Sequence, residues 1–281
     1  MLLIILIVFI FGCFIGSFLN CVVYRMENKK SFAKGRSFCP KCKHTLAWSD
    51  LIPVISFLFL RGKCRYCKKK ISWQYPVVEI ITGLLFLLIF NQFSILEFSK
   101  LLYLLVVSCL LEVIFIYDLK HYIIPDRVIF PAIIIVFLFR ILDFIRNFKL
   151  EIRNYDLLLN LTMAIVVSAG FFFLLWLISR GRWMGFGDVK LALFMGLFLS
   201  WPNILVALFF AFILGSVIGL ILIALQKKKM KSQMPFGPFL IAGTFVGLFW
   251  GTKIINWYLN LIYWGQPSLE LSSSFQEGCP Q

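Results

Sequence analysis

Long apolar stretches alternate along the chain with short breaks that are rich in lysine and arginine. The first apolar run covers residues 1–23, and seven more follow at 76–91, 101–117, 128–146, 157–178, 189–201, 203–225 and 236–262. Because a helix rises 1.5 Å per residue, most of these runs are long enough to cross a bilayer. The pattern predicts an all-α integral membrane protein with about eight transmembrane helices. The run at 189–201 is short for a span, and we expect it to be tilted or buried among its neighbours.

The basic residues predict how the helices are oriented. None precedes the first run, whereas Arg25, Lys29 and Lys30 follow it, which favours a retained first helix with its N-terminus outside over a cleaved signal. Eight crossings then put 24–75, 118–127, 179–188 and 226–235 on the cytoplasmic side. With Lys190 at the membrane edge, these segments hold 22 of the 28 Lys and Arg residues, as the positive-inside rule requires. The C-terminus is then outside as well.

Four segments follow from this division of the chain: the first helix (1–23), a cytoplasmic loop (24–75), a seven-helix membrane domain (76–264) and a polar tail (265–281). Composition agrees, since 61% of the residues are hydrophobic, only 15% are charged, and the mean hydropathy is +0.91. The net charge of +15 raises the question of nucleic acid. We expect no nucleic-acid binding, because the cations lie beside apolar runs and form no separate basic face.

Four cysteines of the predicted cytoplasmic loop form two C-x-x-C pairs: Cys39, Cys42, Cys64 and Cys67. Paired thiolates at this spacing favour tetrahedral zinc over a disulfide framework, and a cytoplasmic location keeps thiols reduced. Four protein ligands leave no open position, so we expect a structural zinc that contributes folding energy to the loop. Redox-active or unpaired thiols are the alternative. His44 is close enough in sequence to compete as a ligand.

An aspartate stands where the sixth run begins, in Gly185-Phe186-Gly187-Asp188. An acid at a membrane edge needs a structural or a chemical reason. The structural reason is that Asp188 caps the helix that follows. The chemical reason is suggested by Gly185 and Gly187, since residues without a β-carbon let the backbone turn tightly and let another chain approach.

Two further aspartates lie at the same predicted cytoplasmic edge. Asp126 follows a proline and is placed to cap the fourth helix. Asp118 is placed at the end of the third helix, where the helix dipole disfavours a negative charge unless Lys120 neutralises it. If Asp118 and Asp188 approach closely, one holds a proton while the other stays ionised. That division is typical of aspartic proteases, in which one carboxyl activates water and the other acts as an acid.

The chain resembles the type IV prepilin peptidases, membrane aspartic proteases of the G-x-G-D type. The likeness covers residues 12 to 245 and rests on several motifs: residues 16–20 (GSFLN), the two C-x-x-C pairs, 48–53 (WSDLIP), 75–79 (YPVVE), Asp118, residues 125–126 (PD) and 185–190 (GFGDVK). The resemblance implies a bacterial inner-membrane enzyme of type IV pilus or type II secretion systems. Such an enzyme cuts the basic leader of prepilins and pseudopilins after a glycine at the cytoplasmic face.

The resemblance also implies residue roles. Asp118 and Asp188 become the catalytic pair, Gly185 and Gly187 shape the active-site loop, and the four loop cysteines bind zinc. Many members then N-methylate the new N-terminus with S-adenosylmethionine. The sequence has no Rossmann fingerprint for a cofactor. Glu79 is a candidate contact to S-adenosylmethionine or to the new amine of the substrate. The alternative is that Glu79 is the buried ion-pair partner of a loop lysine or arginine. From the residues alone, a proton-coupled transporter and a non-catalytic scaffold remain open.

Overall fold

Helices account for nearly all regular structure in the computed structural model, which describes residues 2–28, 31, 35–93, 98–148, 154–226 and 234–263. The helices in these ranges are α1 (Leu2–Glu27), α2 (Ile55–Phe59), α3 (Gln74–Gln92), α4 (Phe98–His121), α5 (Asp126–Phe148), α6 (Asn154–Ile165), α7 (Phe171–Ser179), α8 (Phe186–Leu199), α9 (Asn203–Ala224) and α10 (Gly237–Tyr263). A 3-10 turn, Trp48–Leu51, precedes α2, and a π-helical turn, Val166–Gly170, joins α6 to α7. No strand occurs within these residues, only two isolated β-bridges in the cysteine loop.

Seven segments of the described chain are long and apolar enough to cross a membrane, with α6, the π turn and α7 counted as one span. The prediction of an all-helical, multi-pass membrane protein is confirmed. The count of eight spans stays a prediction, because α8 has 14 residues and reaches about 21 Å, less than a hydrocarbon core of about 30 Å. The predicted polar tail, 265–281, lies outside the described residues.

The short helix α8 lies at the centre of the membrane domain. Four of its side chains have no solvent exposure: Leu191, Ala192, Phe194 and Met195. It contacts α5, α6, α7, α9, α10 and the π turn. The apolar run at 189–201 is therefore buried among its neighbours, and its position is set by packing on all sides.

Close backbone approach holds α8 against the π turn. A β-carbon added at Gly196 would lie 2.5 Å from the Ser168 hydroxyl oxygen and 3.0 Å from the carbonyl oxygen of Ala164. The Ser168 hydroxyl is itself occupied, since it donates to the Ala164 carbonyl at 2.7 Å. Only glycine fits this crossing without movement of the helices.

A buried arginine holds the other end of α8. Arg140 of α5 donates from Nε to the Leu197 carbonyl at 2.9 Å and from its terminal nitrogen to the Phe198 carbonyl at 2.6 Å. The last carbonyls of a helix have no partner within the helix and carry its negative dipole end. Arg140 therefore satisfies these groups and fixes the end of α8 opposite to Asp188.

Small residues also bring α1 and α3 together. A β-carbon at Gly12 would lie 2.8 Å from the Cα atom of Gly83, and one at Gly16 would lie 2.8 Å from the Cα atom of Glu79. Glycines spaced four residues apart on one helix are typical of tightly packed membrane helices. This packing sets the distance between the two ends of the cysteine loop, which connects α1 to α3.

We expect Gly196→Ala to destabilise the membrane domain, because the new methyl group meets Ser168 and the Ala164 backbone. Overpacking of this kind costs about 1–3 kcal/mol. Gly170→Ala is the matched control, since a β-carbon there has no neighbour within 4 Å. Thermal unfolding of both variants in the same detergent measures the difference. Equal stability of the two variants would show that the α8 crossing tolerates a side chain.

Candidate functional site

Asp118 and Asp188 line one cavity of about 870 Å³ at the ends of α4, α8 and α10. We call it the aspartate cavity, and its wall also includes Trp183, Met184 and Phe236. The sequence predicts the two carboxylates at the same membrane edge, and the fold brings both to one cavity. The cavity is large enough to admit a peptide segment.

Asp118 lies one turn before the end of α4, because the helix continues to His121. Its side chain is 3% exposed and accepts a hydrogen bond from the backbone N–H of Gly237, the first residue of α10. The N-terminus of α10 stabilises the Asp118 carboxylate, because a helix N-terminus favours a negative charge. This offsets part of the unfavourable effect of the C-terminal end of α4. A β-carbon at Gly237 would collide with the Asp118 carboxylate. No local signal in the sequence links these two residues.

The proposed neutralisation of Asp118 by Lys120 is wrong. Lys120 forms an ion pair with Glu27 at 2.9 Å, and His121 approaches the same carboxylate oxygen at 3.4 Å. These contacts tie the end of α1 to the end of α4 and leave Asp118 without an ion-pair partner among the described residues.

Asp188 is not the N-cap of α8. Gly185 is the N-cap, and Asp188 is the third residue of the helix, where its carboxylate accepts from the Gly185 N–H. This contact resembles one half of a capping box. Asp188 lies outside the seven candidate spans. Burial, and then the charge of Asp118, raise the pKa of Asp188 to about 7.

The two motif glycines are used differently. A β-carbon at Gly187 would lie 3.1 Å from the Cβ atom of Ile124, so glycine lets α8 approach the α4–α5 loop. Gly185 has φ −76°, which any residue adopts, and a β-carbon there meets nothing closer than 3.9 Å. Its lack of a side chain therefore leaves room at the mouth of the aspartate cavity. The turn that needs glycine for its backbone is at Gly181, with φ +74°.

An ion pair fixes the first turns of α8 and α5 against each other. Lys190 Nζ lies 2.6 Å from an oxygen of Asp126, which is the first residue of α5. The same ammonium group stands 4.8 Å from the ring centre of Phe130 and 5.5 Å from that of Phe186. Asp126 therefore binds Lys190 in addition to its place at a helix start. Lys190 belongs to the sequence motif, but its partner is visible only in the fold.

The four loop cysteines form a cluster that fits a metal ion. Their sulfur atoms all lie within 4.8 Å of one another, and those of Cys39 and Cys67 are 4.0 Å apart. Tetrahedral zinc with Zn–S bonds near 2.3 Å separates its sulfurs by about 3.8 Å. The four predicted ligands are thus brought close enough together to hold one metal ion.

The two cysteine pairs have the same local conformation. Phe38 bridges to Thr45, and Lys63 bridges to Lys70, so each pair lies in a short hairpin-like turn. The residue after each second cysteine, Lys43 or Lys68, has φ +57°. His44 is no ligand in this arrangement: its ring stacks on Tyr66 at 3.7 Å between centroids, and its Nδ1 lies 2.7 Å from the Thr45 carbonyl oxygen.

Glu79 lies in a second cavity, of about 480 Å³, between the cysteine loop, α1 and α3. We call it the loop cavity. Glu79 is 7% exposed, and its carboxylate accepts from the Val54 N–H at 2.7 Å and from the Ser17 hydroxyl. The alternative role expected from sequence, a partner for a loop lysine or arginine, finds no such ion pair among the described residues. Glu79 instead fixes the loop backbone at Val54, which has φ +59°.

Comparison with known proteins gives two matches to family models. Residues 10–93 match the bacterial peptidase A24 N-terminal domain, and residues 104–220 match the type IV leader peptidase family. The relatives include proteins named prepilin leader peptidase/N-methyltransferase. The Legionella pneumophila protein is 31% identical over 92% of this chain and 95% of its own, and the Bacillus subtilis protein is 32% identical over 91% and 98%. No solved structure matches the chain.

The chain belongs to the type IV leader peptidase family. The resemblance inferred from the motifs is confirmed, and so is the prediction of a membrane-bound peptidase. The two relatives named above match nearly the whole chain, so their likeness includes both the aspartate cavity and the cysteine loop.

We expect the double variant Cys39→Ser, Cys42→Ser to lose its metal, because serine does not replace a thiolate as a zinc ligand. Elemental analysis of purified wild-type protein should give about one zinc per chain, and the variant close to none. Cys13→Ser, in α1 and outside the cluster, is the control. Unchanged zinc in the double variant would contradict the assignment of these ligands.

Proposed function

We propose that this protein removes the leader peptide of prepilins and pseudopilins, with Asp118 and Asp188 as the catalytic pair. The observation that carries the proposal is that two carboxylates, the buried Asp118 and the half-buried Asp188, line one cavity. Membership in a leader peptidase family and relatives named for prepilins support the substrate. The cleavage after glycine is an expectation from the resemblance.

The proposed chemistry divides the two carboxylates by protonation. Asp118, which accepts from the N-terminal N–H of α10, is the anion that takes a proton from water. Asp188, whose pKa is raised to about 7, holds the shared proton and donates it to the peptide carbonyl oxygen. Water adds to the carbonyl carbon and gives a gem-diol, and its collapse with protonation of the leaving amine releases leader and mature protein. No acyl-enzyme forms.

The cavity wall suits a prepilin that has an apolar helix and a basic leader. Trp183, Met184 and Phe236 provide apolar contact beside the pair, and Gly185 leaves space for the substrate backbone. We place this site at the cytoplasmic face of the inner membrane, because Arg180 and Arg182 lie in the break that precedes Asp188 and Lys190 lies at its membrane edge. With eight crossings, both termini are then outside.

Asp118→Asn and Asp188→Asn should each lower the cleavage rate of a purified prepilin at least about 100-fold, since each removes one proton-transfer group. Asn keeps the size of the side chain, and zinc content and thermal stability should stay close to wild type. Asp143→Asn is the control, an aspartate of α5 paired with Arg146 and outside the aspartate cavity. Appreciable cleavage by either site variant would rule out the pair.

We propose further that the loop cavity binds S-adenosylmethionine, as the N-methyltransferase name of the relatives suggests. When bound, this cofactor supplies a methyl group to the amine that cleavage exposes. Glu79 provides a buried carboxylate for a cationic group, and Tyr24, Phe38 and Tyr75 provide aromatic surface around it. Zinc has a structural role here, holding the part of the loop that forms the cavity wall. In this scheme residues 24–75 serve methylation and residues 76–264 serve cleavage, with Glu79 of α3 completing the methylation site.

Glu79→Gln should weaken binding of S-adenosylmethionine about tenfold or more, because a charge-assisted contact is lost while the amide oxygen still accepts from Val54. Titration calorimetry of the purified protein measures this without methyl transfer. Glu112→Gln is the matched control, a buried glutamate of α4 that accepts from Thr82 at 2.6 Å and does not line the loop cavity. Equal affinity in the two variants would remove Glu79 from the cofactor site. Cleavage should be unaffected by Glu79→Gln.

A further inference from the structure

The short helix α2 exposes its apolar face. Ile55, Leu58 and Phe59 are 51%, 66% and 84% exposed, and their spacing of three and four residues puts them on one side of the helix. The opposite side faces the loop cavity through Ser56, Phe57 and Leu60. A polar loop thus carries a helix that turns large apolar side chains away from the protein.

The exposed face lies beside the start of a membrane span. Trp73 directly precedes α3, is 71% exposed, and packs its ring against Phe57 of α2 at 4.9 Å between centroids. We call Ile55, Leu58, Phe59 and Trp73 the α2 patch. Because α3 is a candidate span that begins at Gln74, the patch is continuous with the surface that faces lipid. Tryptophan is enriched at this level, where its ring meets the headgroup region.

Basic residues flank the patch along the chain. Arg61 and Lys63 follow α2 directly, and the β-bridge between Lys63 and Lys70 adds a third basic residue. All three side chains are exposed, and the described contacts give none of them an ion pair. In the same loop Arg65 does form one, with Asp50 at 2.8 Å. An exposed apolar patch next to uncompensated cations is typical of surfaces that bind anionic lipid.

We propose that the α2 patch inserts into the leaflet next to the loop, with Arg61, Lys63 and Lys70 against the phosphates of anionic lipids. The contact holds the cysteine loop on the membrane and the loop cavity at the headgroup level. Charge favours lipid over the other occupants of an apolar surface. A second copy would bring the same cations together, and a prepilin with a basic leader would add more. The inference rests on exposed apolar side chains and charge; of the residues involved, only Lys70 also lines the loop cavity.

The test uses the full chain in lipid nanodiscs with a photoactivatable benzoylphenylalanine at position 59. In discs of phosphatidylcholine with roughly one third phosphatidylglycerol, we expect crosslinks to lipid at least about fivefold above those from the same probe at Lys43, an exposed residue of the first cysteine pair. The double variant Lys63→Glu, Lys70→Glu should give fewer lipid crosslinks from position 59. Discs made of phosphatidylcholine alone should have the same effect on the unaltered lysines. Zinc content checks that each probe-bearing loop is folded.

Unmodified protein gives a second measurement. Amide hydrogen exchange over residues 54–62 should be slower in discs that contain phosphatidylglycerol than in phosphatidylcholine alone. Lipid crosslinks from position 59 no stronger than those from Lys43 would overturn the proposal. So would crosslinks to a second copy or to added prepilin in place of lipid. If crosslink yield and amide exchange were the same with and without phosphatidylglycerol, the role of the three cations would be overturned.

Discussion

The burial of α8 is the constraint on which the rest of the site depends. This helix is too short to cross the bilayer alone, so its position is fixed by its neighbours: Gly196 against the π turn, Arg140 on the terminal carbonyls, and Lys190 paired with Asp126. Asp188 lies in the first turn of this fixed helix. Its carboxylate therefore has a defined place relative to Asp118, and preorganised groups need little rearrangement when reaction begins.

Backbone groups offset the energetic cost of placing the two carboxylates in one cavity, and in the proposed mechanism a shared proton lowers that cost further. Asp118 accepts from the first residue of α10, and Asp188 accepts from the N-cap of its own helix. Neither aspartate forms an ion pair in the described part of the chain. A cation beside either carboxylate would hold it ionised and remove the difference in protonation between the acid and the base. The lysine nearest to Asp188 in sequence is occupied by Asp126, and the lysine nearest to Asp118 is occupied by Glu27. Both lysines thus connect helix ends and do not pair with Asp118 or Asp188.

Sequence patterns predicted the all-helical membrane fold, the cysteine cluster and the two aspartates that line one cavity, because each has a local signal: apolar length, C-x-x-C spacing, and acids at apolar boundaries. They did not identify the partners of these residues. Gly237 lies more than a hundred residues from Asp118, and nothing local indicates that its N–H points there. Glu79 likewise has a backbone partner in Val54 that charge pairing would not suggest. The structural alternative for Asp188, a helix N-cap, is excluded because Gly185 occupies that position three residues earlier.

The measurement that tests the account most directly is where an uncleaved prepilin places its scissile bond. A prepilin with a photoactivatable residue just after that bond, bound to the Asp118→Asn variant in nanodiscs, can be crosslinked and mapped by mass spectrometry. The account predicts crosslinks in the wall of the aspartate cavity, at Trp183, Met184 or Phe236. Crosslinks confined to the cysteine loop, or to lipid, would contradict cleavage between Asp118 and Asp188.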